Sequence, residues 1–547
     1  MVCYFSTKWG GEMSEDLRRL IGQIMICGFP SAFPDDAVRE LIRQYHVGNI
    51  ILFARNIVES DQISQLTKQL QQIASDDGQR VPMLIATDQE NGMVRRLGPN
   101  FPGFPGNMAM VATGDEHLVY EVGKMTGEFL DVAGINMNLS PVLDVNNNPL
   151  NPVIGTRSFG DDPKQVARMG VALMKGLQAS GIVPCGKHFP GHGDTHVDSH
   201  CALPHIGHDL RRIRETELIP FERAIREGLP VIMTAHIVFD QLDPMAPATL
   251  SKRVLQGLLR EDLGFSGVIA TDCLEMQAIL GTTGVGEGAV RALAAGADMV
   301  MVSHRREWQI QAINAVYDAV CQGRLPLSRL EDANSRVAAI KSRLHHRLQA
   351  DKDDGETREK KALNLRQNTS QRALTCLIPK TDPDRDIFPV PKTIMLIEDT
   401  PPSVLGGEKE EFEPVIAILA SRFPGVKIDR LGRDDPVKES DVMRHDWLLY
   451  VVSSIPSALR GDIPRLLERH PHSVVWLVST PYALPRISMA KRVYALYERT
   501  QWMATAALDA LLGQNGGGSL PIDVEDYPRG YQGCRPKTVS VDSDGTP

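Results

Sequence analysis

Eight short apolar runs, each trailed by an amphipathic stretch, punctuate the first 345 or so residues of this 547-residue chain, and no other feature constrains its fold as strongly. The runs are IMICGF from Ile24, NIILF from Asn49, MLIAT from Met83, INMNLS from Ile135, IVPCGK from Ile182, VIMTA from Val231, GVIAT from Gly267 and DMVMV from Asp298. Helical patterns separate them, among them DDAVRELIRQYH from Asp35, DDPKQVARMGVALMKGLQASG from Asp161 and SKRVLQGLLREDLG from Ser251. Runs that are apolar on both faces suit parallel strands under a helix layer. Eight such units predict an α/β fold: a closed (β/α)8 TIM-like barrel over residues 1–345 rather than an open doubly wound sheet.

In such a barrel the chemistry sits at the C-terminal strand ends, so the polar residues just after each run are the first candidates. Arg55 follows the second run, Asp88 the third, Asp144 the fourth, Lys187 and His188 the fifth, His236 the sixth, Asp272 the seventh and Ser303 the eighth. For Arg55 or Ser303 taken singly, a strand meeting solvent is explanation enough.

Beyond the barrel, residues 346–372 are charged and poor in apolar side chains, as linkers are, with an exposed helix as one form they can take. A smaller α/β sandwich domain is expected over 373–525, with TIMLIED from Thr393, WLLYVVSS from Trp447 and SVVWLVST from Ser473 as strands. EFEPVIAILASRF from Glu411 and TQWMATAALDALLG from Thr500 read as its helices. The tail, 526–547, is rich in Pro, Gly, Ser and Asp and is expected to be disordered.

Composition excludes several classes. A formal net charge of -9 and no basic run interleaved with aromatics argue against nucleic acid. No apolar run is long enough to span a bilayer, so no membrane role is expected. MVCYFSTKWGGEMSEDLRR lacks a basic start followed by an apolar segment, and the eight cysteines are scattered singly. A cytoplasmic protein with reduced thiols is the expectation. The oligomeric state is not legible.

Asp272, in GFSGVIATDCLEM, is either a strand-end nucleophile on rigid backbone or the N-cap of a following helix, with Glu275 completing a capping box. Asp88, in LIATDQENGMVRRL, either accepts hydrogen bonds from a polyol or pairs with Arg95 or Arg96. The stretch KHFPGHGDTHVDSH, residues 187–200, is the densest polar segment, with four histidines and two aspartates. His192, His196 and His200 are spaced as metal ligands on one helix face would be, but Pro190, Gly191 and Gly193 break that helix and no HExxH accompanies it. A loop in which Asp198 orients His200 for proton transfer is the alternative, its glycines letting it close over substrate.

Together these segments resemble glycoside hydrolase family 3, in its β-N-acetylhexosaminidase branch. IGQIMICGFP, GNIILFARNI, ATDQENGMVRRL, GINMNLSPVLDVN, NPVIGTRSFG, KHFPGHGDTHVDSH, VIMTAHIVFDQLDPMAPATLS and GFSGVIATDCLEM carry the resemblance, in order and spacing, across nearly the whole barrel. It implies retaining exo-hydrolysis of terminal β-linked N-acetylglucosamine through a covalent glycosyl-enzyme. Asp272 matches the nucleophile, His200 the acid/base and Asp198 its orienting partner. Asp88, Arg157, Lys187 and His188 match sugar-binding positions, and His236 is expected to line the same pocket. Neither a metal nor an organic cofactor is implied.

The sequence departs from the family pattern at Cys273, where an acidic residue is usual, and at Asn91-Gly92-Met93, where Gly-Gly and a basic residue are common. YALPRI, YALYERT and GGGSLPIDV near the C-terminus resemble a compact second domain of the family. Phosphorolysis is a rival within the same site, because a histidine repels attacking phosphate less than a carboxylate does. A β-glucosidase, a metal-dependent barrel hydrolase using His188, His192 and His200, and a non-catalytic sugar-binding protein complete the alternatives.

Overall fold

In the computed structural model the described residues are 14–98, 101–199, 201–345, 355–378, 388–399, 404–405, 408–409, 415–432, 435–452, 461–513 and 517–532. Eight parallel strands close into a barrel: β1 (Met25–Cys27), β2 (Asn49–Leu52), β3 (Leu84–Thr87), β4 (Met137–Asn138), β5 (Val183–Phe189), β6 (Val231–Thr234), β7 (Val268–Cys273) and β8 (Met299–Val302). Neighbours in sequence are neighbours in the sheet, and β1 closes on β8 through Met25 opposite Val300. The barrel interior and helix ring form one apolar core.

Local chemistry fixes the helices between strands. Asp35 caps the helix Asp36–Tyr45 by accepting from Val38 N–H at 2.9 Å, and Asp162 caps Pro163–Ala179 with proline at its first turn. At the barrel floor the fully buried Asp298 is held by Arg260, Arg329 and Arg336. Charge concentrated at that end is structural, since the opposite end carries the site.

A second, six-stranded sheet runs in the order β9-β14-β13-β12-β10-β11, where β9 is Thr375–Ile378, β10 Thr393–Asp399, β11 Lys427–Leu431, β12 Trp447–Val452, β13 Ser473–Leu477 and β14 Arg492–Ala495. All pairings are parallel except that of β9 with β14. Its core gathers around the buried Trp447, Tyr450 and Trp476, and it also takes in Met108, Ala109 and Ala112 from α1 (Asn107–Ala112), a helix of the barrel sequence. The two units therefore share apolar contacts.

Two expectations need adjustment. Within the expected linker, Gly355–Ala373 forms a helix that is not merely exposed: it packs on α1 and on α2 (Gln501–Leu511), burying Ala362, Thr369, Ser370 and Ala373 along with Arg358. The expected tail starts too early: Tyr527 is buried against Tyr531, and Arg529 pairs with Asp161, Asp162 and Asp523. An aromatic pair and a shared cation tie down residues that composition alone marks as disordered; 533–547 lie outside the described residues. Among the described residues no helix is long and apolar enough to cross a membrane.

Candidate active site

The C-terminal strand ends surround a cleft of about 620 Å³. Asp88, Arg157, Lys187, His188 and Asp272 all line it. Three different strands and one turn of 3₁₀ helix, Gly155–Arg157, thus converge on one space.

One wall is an alternating charge cluster. Lys187 Nζ lies 2.7 Å from both Asp88 Oδ1 and Glu90 Oε1, and Arg157 grips Glu90 with Nε and Nη2 at 2.9 and 2.8 Å. Glu90 is only 2% exposed. Burial alone would push its carboxyl up, but the two cations outweigh burial and hold it well below the usual range. Burial likewise works against Lys187 and Arg157, yet the carboxylates raise both. Glu90, Lys187 and Arg157 therefore stay charged at neutral pH, and Asp88, whose side chain is 17% exposed, is the acid of the cluster that is most open to the cleft. Its partner is Lys187 rather than Arg95 or Arg96.

His188 is oriented from behind. Asp144, fully buried at the end of the fourth run, accepts from His188 Nδ1 at 2.7 Å and from the main-chain N–H groups of His188 and His192 at 3.1 and 2.7 Å. Burial opposes the Asp144 charge, but His188 holds its carboxyl below the usual value. With the Nδ1 proton directed to Asp144, Nε2 is left for the cleft.

The loop that follows is not a helix. His192 is buried, with Nδ1 3.0 Å from Thr195 Oγ1 and Nε2 3.0 Å from Ser199 Oγ; burial and the nearby His188 lower it to about 4, so it is neutral. Both ring nitrogens are engaged by hydroxyls, which removes it from the metal-ligand set considered with His188 and His200. His196 is exposed, its Nδ1 3.1 Å from Asn148 Nδ2.

The loop's glycines answer a packing demand. A Cβ on Gly193 would lie 1.6 Å from Val145 O, and Asn151 Nδ2 donates to the His192 and Gly193 carbonyls at 2.9 and 3.0 Å. Asp198 is half-buried, and its carbonyl accepts from Cys201 and Ala202 N–H at 2.9 and 3.0 Å. Its neighbour Ser199 lines the cleft. His200 lies outside the described residues.

Opposite the cluster, Asp272 stands at the penultimate position of β7, half-buried, with Oδ1 accepting from Cys273 N–H at 2.7 Å. The next helix is Gln277–Leu280, with Met276 at its N-cap, so Asp272 does not cap it. Glu275 closes no capping box either; it accepts from the His304 and Arg305 N–H groups at 2.8 and 3.1 Å, and burial raises its carboxyl. Cys273, where an acid is usual, has its Sγ 2.9 Å from Ser303 Oγ and is pushed up to about 12 by burial and by Glu275. It is a neutral thiol.

His236 was expected in the same pocket. It is buried one layer behind the cleft wall, with Nδ1 2.8 Å from Thr249 Oγ1 and Nε2 2.9 Å from the Cys273 carbonyl, and it does not line the cleft. The strand after Thr234 turns its ring toward the neighbouring backbone. Arg55 stitches strand ends, donating to Phe29 O and Ser303 O at 3.1 Å each.

Sequence reading assigned no role to Glu90; it offered Asp144 only as a strand-end candidate, Arg96 as a partner for Asp88, His192 as a metal ligand and Glu275 as half of a capping box. Glu90 carried one usable signal, two positions beyond Asp88 and so on the same side of an extended chain.

Residues 16–340 match the sequence profile described as glycosyl hydrolase family 3 N terminal domain. The chain is 38% identical over 328 residues to beta-hexosaminidase A of Pseudoalteromonas piscicida, a match covering 56% of this chain and 55% of that protein. It thus spans about half the length of that relative. A beta-hexosaminidase of Neisseria meningitidis serogroup C is 34% identical over 323 residues, covering 54% of this chain and 87% of its own length. Among solved structures, a glycoside hydrolase family 3 beta-N-acetylglucosaminidase from Paenibacillus sp. superposes with a TM-score of 0.82 at 36% identity, covering 93% of this chain and 99% of that one.

Proposed function

The chain belongs to glycosyl hydrolase family 3, and from that premise we propose that it is a retaining exo-β-N-acetylhexosaminidase, hydrolysing terminal β-linked N-acetylglucosamine from small glycosides or oligosaccharides. One observation carries the reading: the strand-end carboxylate of Asp272 shares a cleft with the Asp88, Arg157, Lys187 and His188 cluster. Charged donors and acceptors that converge on hydroxyls fix a sugar ring for attack.

In this reading an Asp272 oxygen bonds to the anomeric carbon as the glycosidic C–O bond breaks, and the departing oxygen takes a proton from His200. Water then attacks the same carbon, gives its proton back to His200 and releases Asp272. Asp198 orients the histidine. His236, behind the Cys273 carbonyl, supports the end of β7 rather than the sugar. A cytoplasmic location belongs to the same reading, supported by the thiols of Cys27, Cys185, Cys201, Cys273 and Cys321 among the described residues.

The test is nitrophenol release from an aryl β-N-acetylglucosaminide in phosphate-free buffer with chelator. The native chain is expected to turn over, and Asp272→Asn to lose roughly 10⁴-fold or more in kcat. Activity that appears only with added phosphate would favour phosphorolysis, and a fully active Asp272→Asn would remove the nucleophile assignment.

A further inference from the structure

The segment from Asp88 to Gly106 carries Asp88, Glu90 and Arg96 into the cleft. It contains a tight turn: Glu90 N–H donates to Val94 O at 2.9 Å, Gly92 sits at φ 58°, and Gly92 N–H donates to Phe104 O at 2.9 Å. The outer side of this turn rests on the second domain, just past β14. Glu498, 2% exposed, accepts from Gly106 N–H at 2.7 Å through Oε2, and from Thr500 Oγ1 and Trp502 Nε1 at 2.9 and 3.0 Å through Oε1. A Cβ on Gly92 would stand 2.7 Å from Glu498 Oε2 and from Gly106 Cα, and one on Gly103 would stand 2.5 Å from the Trp502 ring. Arg95 and Arg366 flank that ring at 4.8 and 5.3 Å.

The three partners of Glu498 are all donors. A carboxylate meets them with both oxygens, whereas an amide must turn its NH₂ against a donor on one side. Among the described residues, none of the second domain lines the cleft. We infer that Glu498 is a positioning residue for the sugar site: through it the second domain holds the turn that presents Asp88, Glu90 and Arg96, and so completes the site without touching the sugar. The link to sugar rests on the hydrolase reading above; the brace itself does not.

Amide hydrogen exchange over 88–106 and kinetics on the aryl β-N-acetylglucosaminide are measured together for the full chain and Glu498→Gln. Exchange in 88–106 is expected to quicken while β5 to β7 stay protected, and KM to rise roughly fivefold to tenfold with kcat within about twofold. Trp502→Phe, which removes one donor and keeps a ring, changes both readouts in the same direction and serves if Glu498→Gln fails to fold. Arg529→Ala cuts ion pairs elsewhere on the domain boundary and leaves both readouts unchanged. Unchanged exchange in the two Glu498-site variants, faster exchange with unchanged KM, or an equal effect from Arg529→Ala overturns the inference. A native chain inert toward every β-N-acetylhexosaminide, with faster 88–106 exchange in Glu498→Gln, sinks the hydrolase reading and leaves the brace standing.

Discussion

Glu90 and Glu498 are equally buried, at 2% exposure, yet they titrate at opposite ends of the scale. In the cleft wall, Arg157 and Lys187 outweigh burial and keep Glu90 ionised far into acid. At the domain boundary burial dominates, with only neutral donors in contact and Arg95 acting at longer range, so Glu498 is raised to about 7. Compensating charge, not depth, separates a permanently charged carboxylate from one that titrates near neutrality. Ion pairs meet Glu90 in the cleft wall; only neutral donors meet Glu498 at the boundary.

The largest test removes that compensation. Glu90→Gln leaves two buried cations without their shared carboxylate and is expected to destabilise the chain by about 3–5 kcal/mol in denaturant titration. Adding Lys187→Met should recover part of the loss, and strict additivity would refute the coupling.

The second test is the sign of the pH response. Glu90 is depressed, so its contribution is present above about pH 4.5 and is lost as pH falls below it. Glu498 is raised, so its contribution is full below about pH 4.5 and disappears as pH rises through about 7. Between those values native stability should therefore decline relative to Glu498→Gln by up to about 3 kcal/mol. Parallel stability curves for the two proteins would show that Glu498 does not titrate there.

Gly92→Ala is the smallest. Its left-handed backbone and the 2.7 Å approach to Glu498 predict a loss of roughly 1–2 kcal/mol, read as a lower melting midpoint, and shortening the neighbour with Glu498→Ala should relieve part of it.

Each barrel strand falls on one of the apolar runs, because a parallel strand covered on both faces leaves a contiguous signature. The second sheet was half legible. Trp447–Val452 and Ser473–Leu477 are buried runs, whereas Lys427–Leu431, KIDRL, is an edge strand with half-exposed side chains and shows no such run. Asp88, Lys187, His188 and Asp272 were legible as polar residues ending strands. Arg157 came only from resemblance, since it rides a short turn far from any strand end. The depth of His236 and the role of Glu90 are set by partners distant in sequence, Cys273 for one and Arg157 and Lys187 for the other, which no local pattern records.

Gly193 has a consequence of another kind. With its α-carbon wedged against the Val145 carbonyl, the polar loop is anchored at its root, and any swing must pivot beyond Thr195. The segment behaves as a short boom on a fixed mast. One added carbon atom at the mast would displace the whole rig.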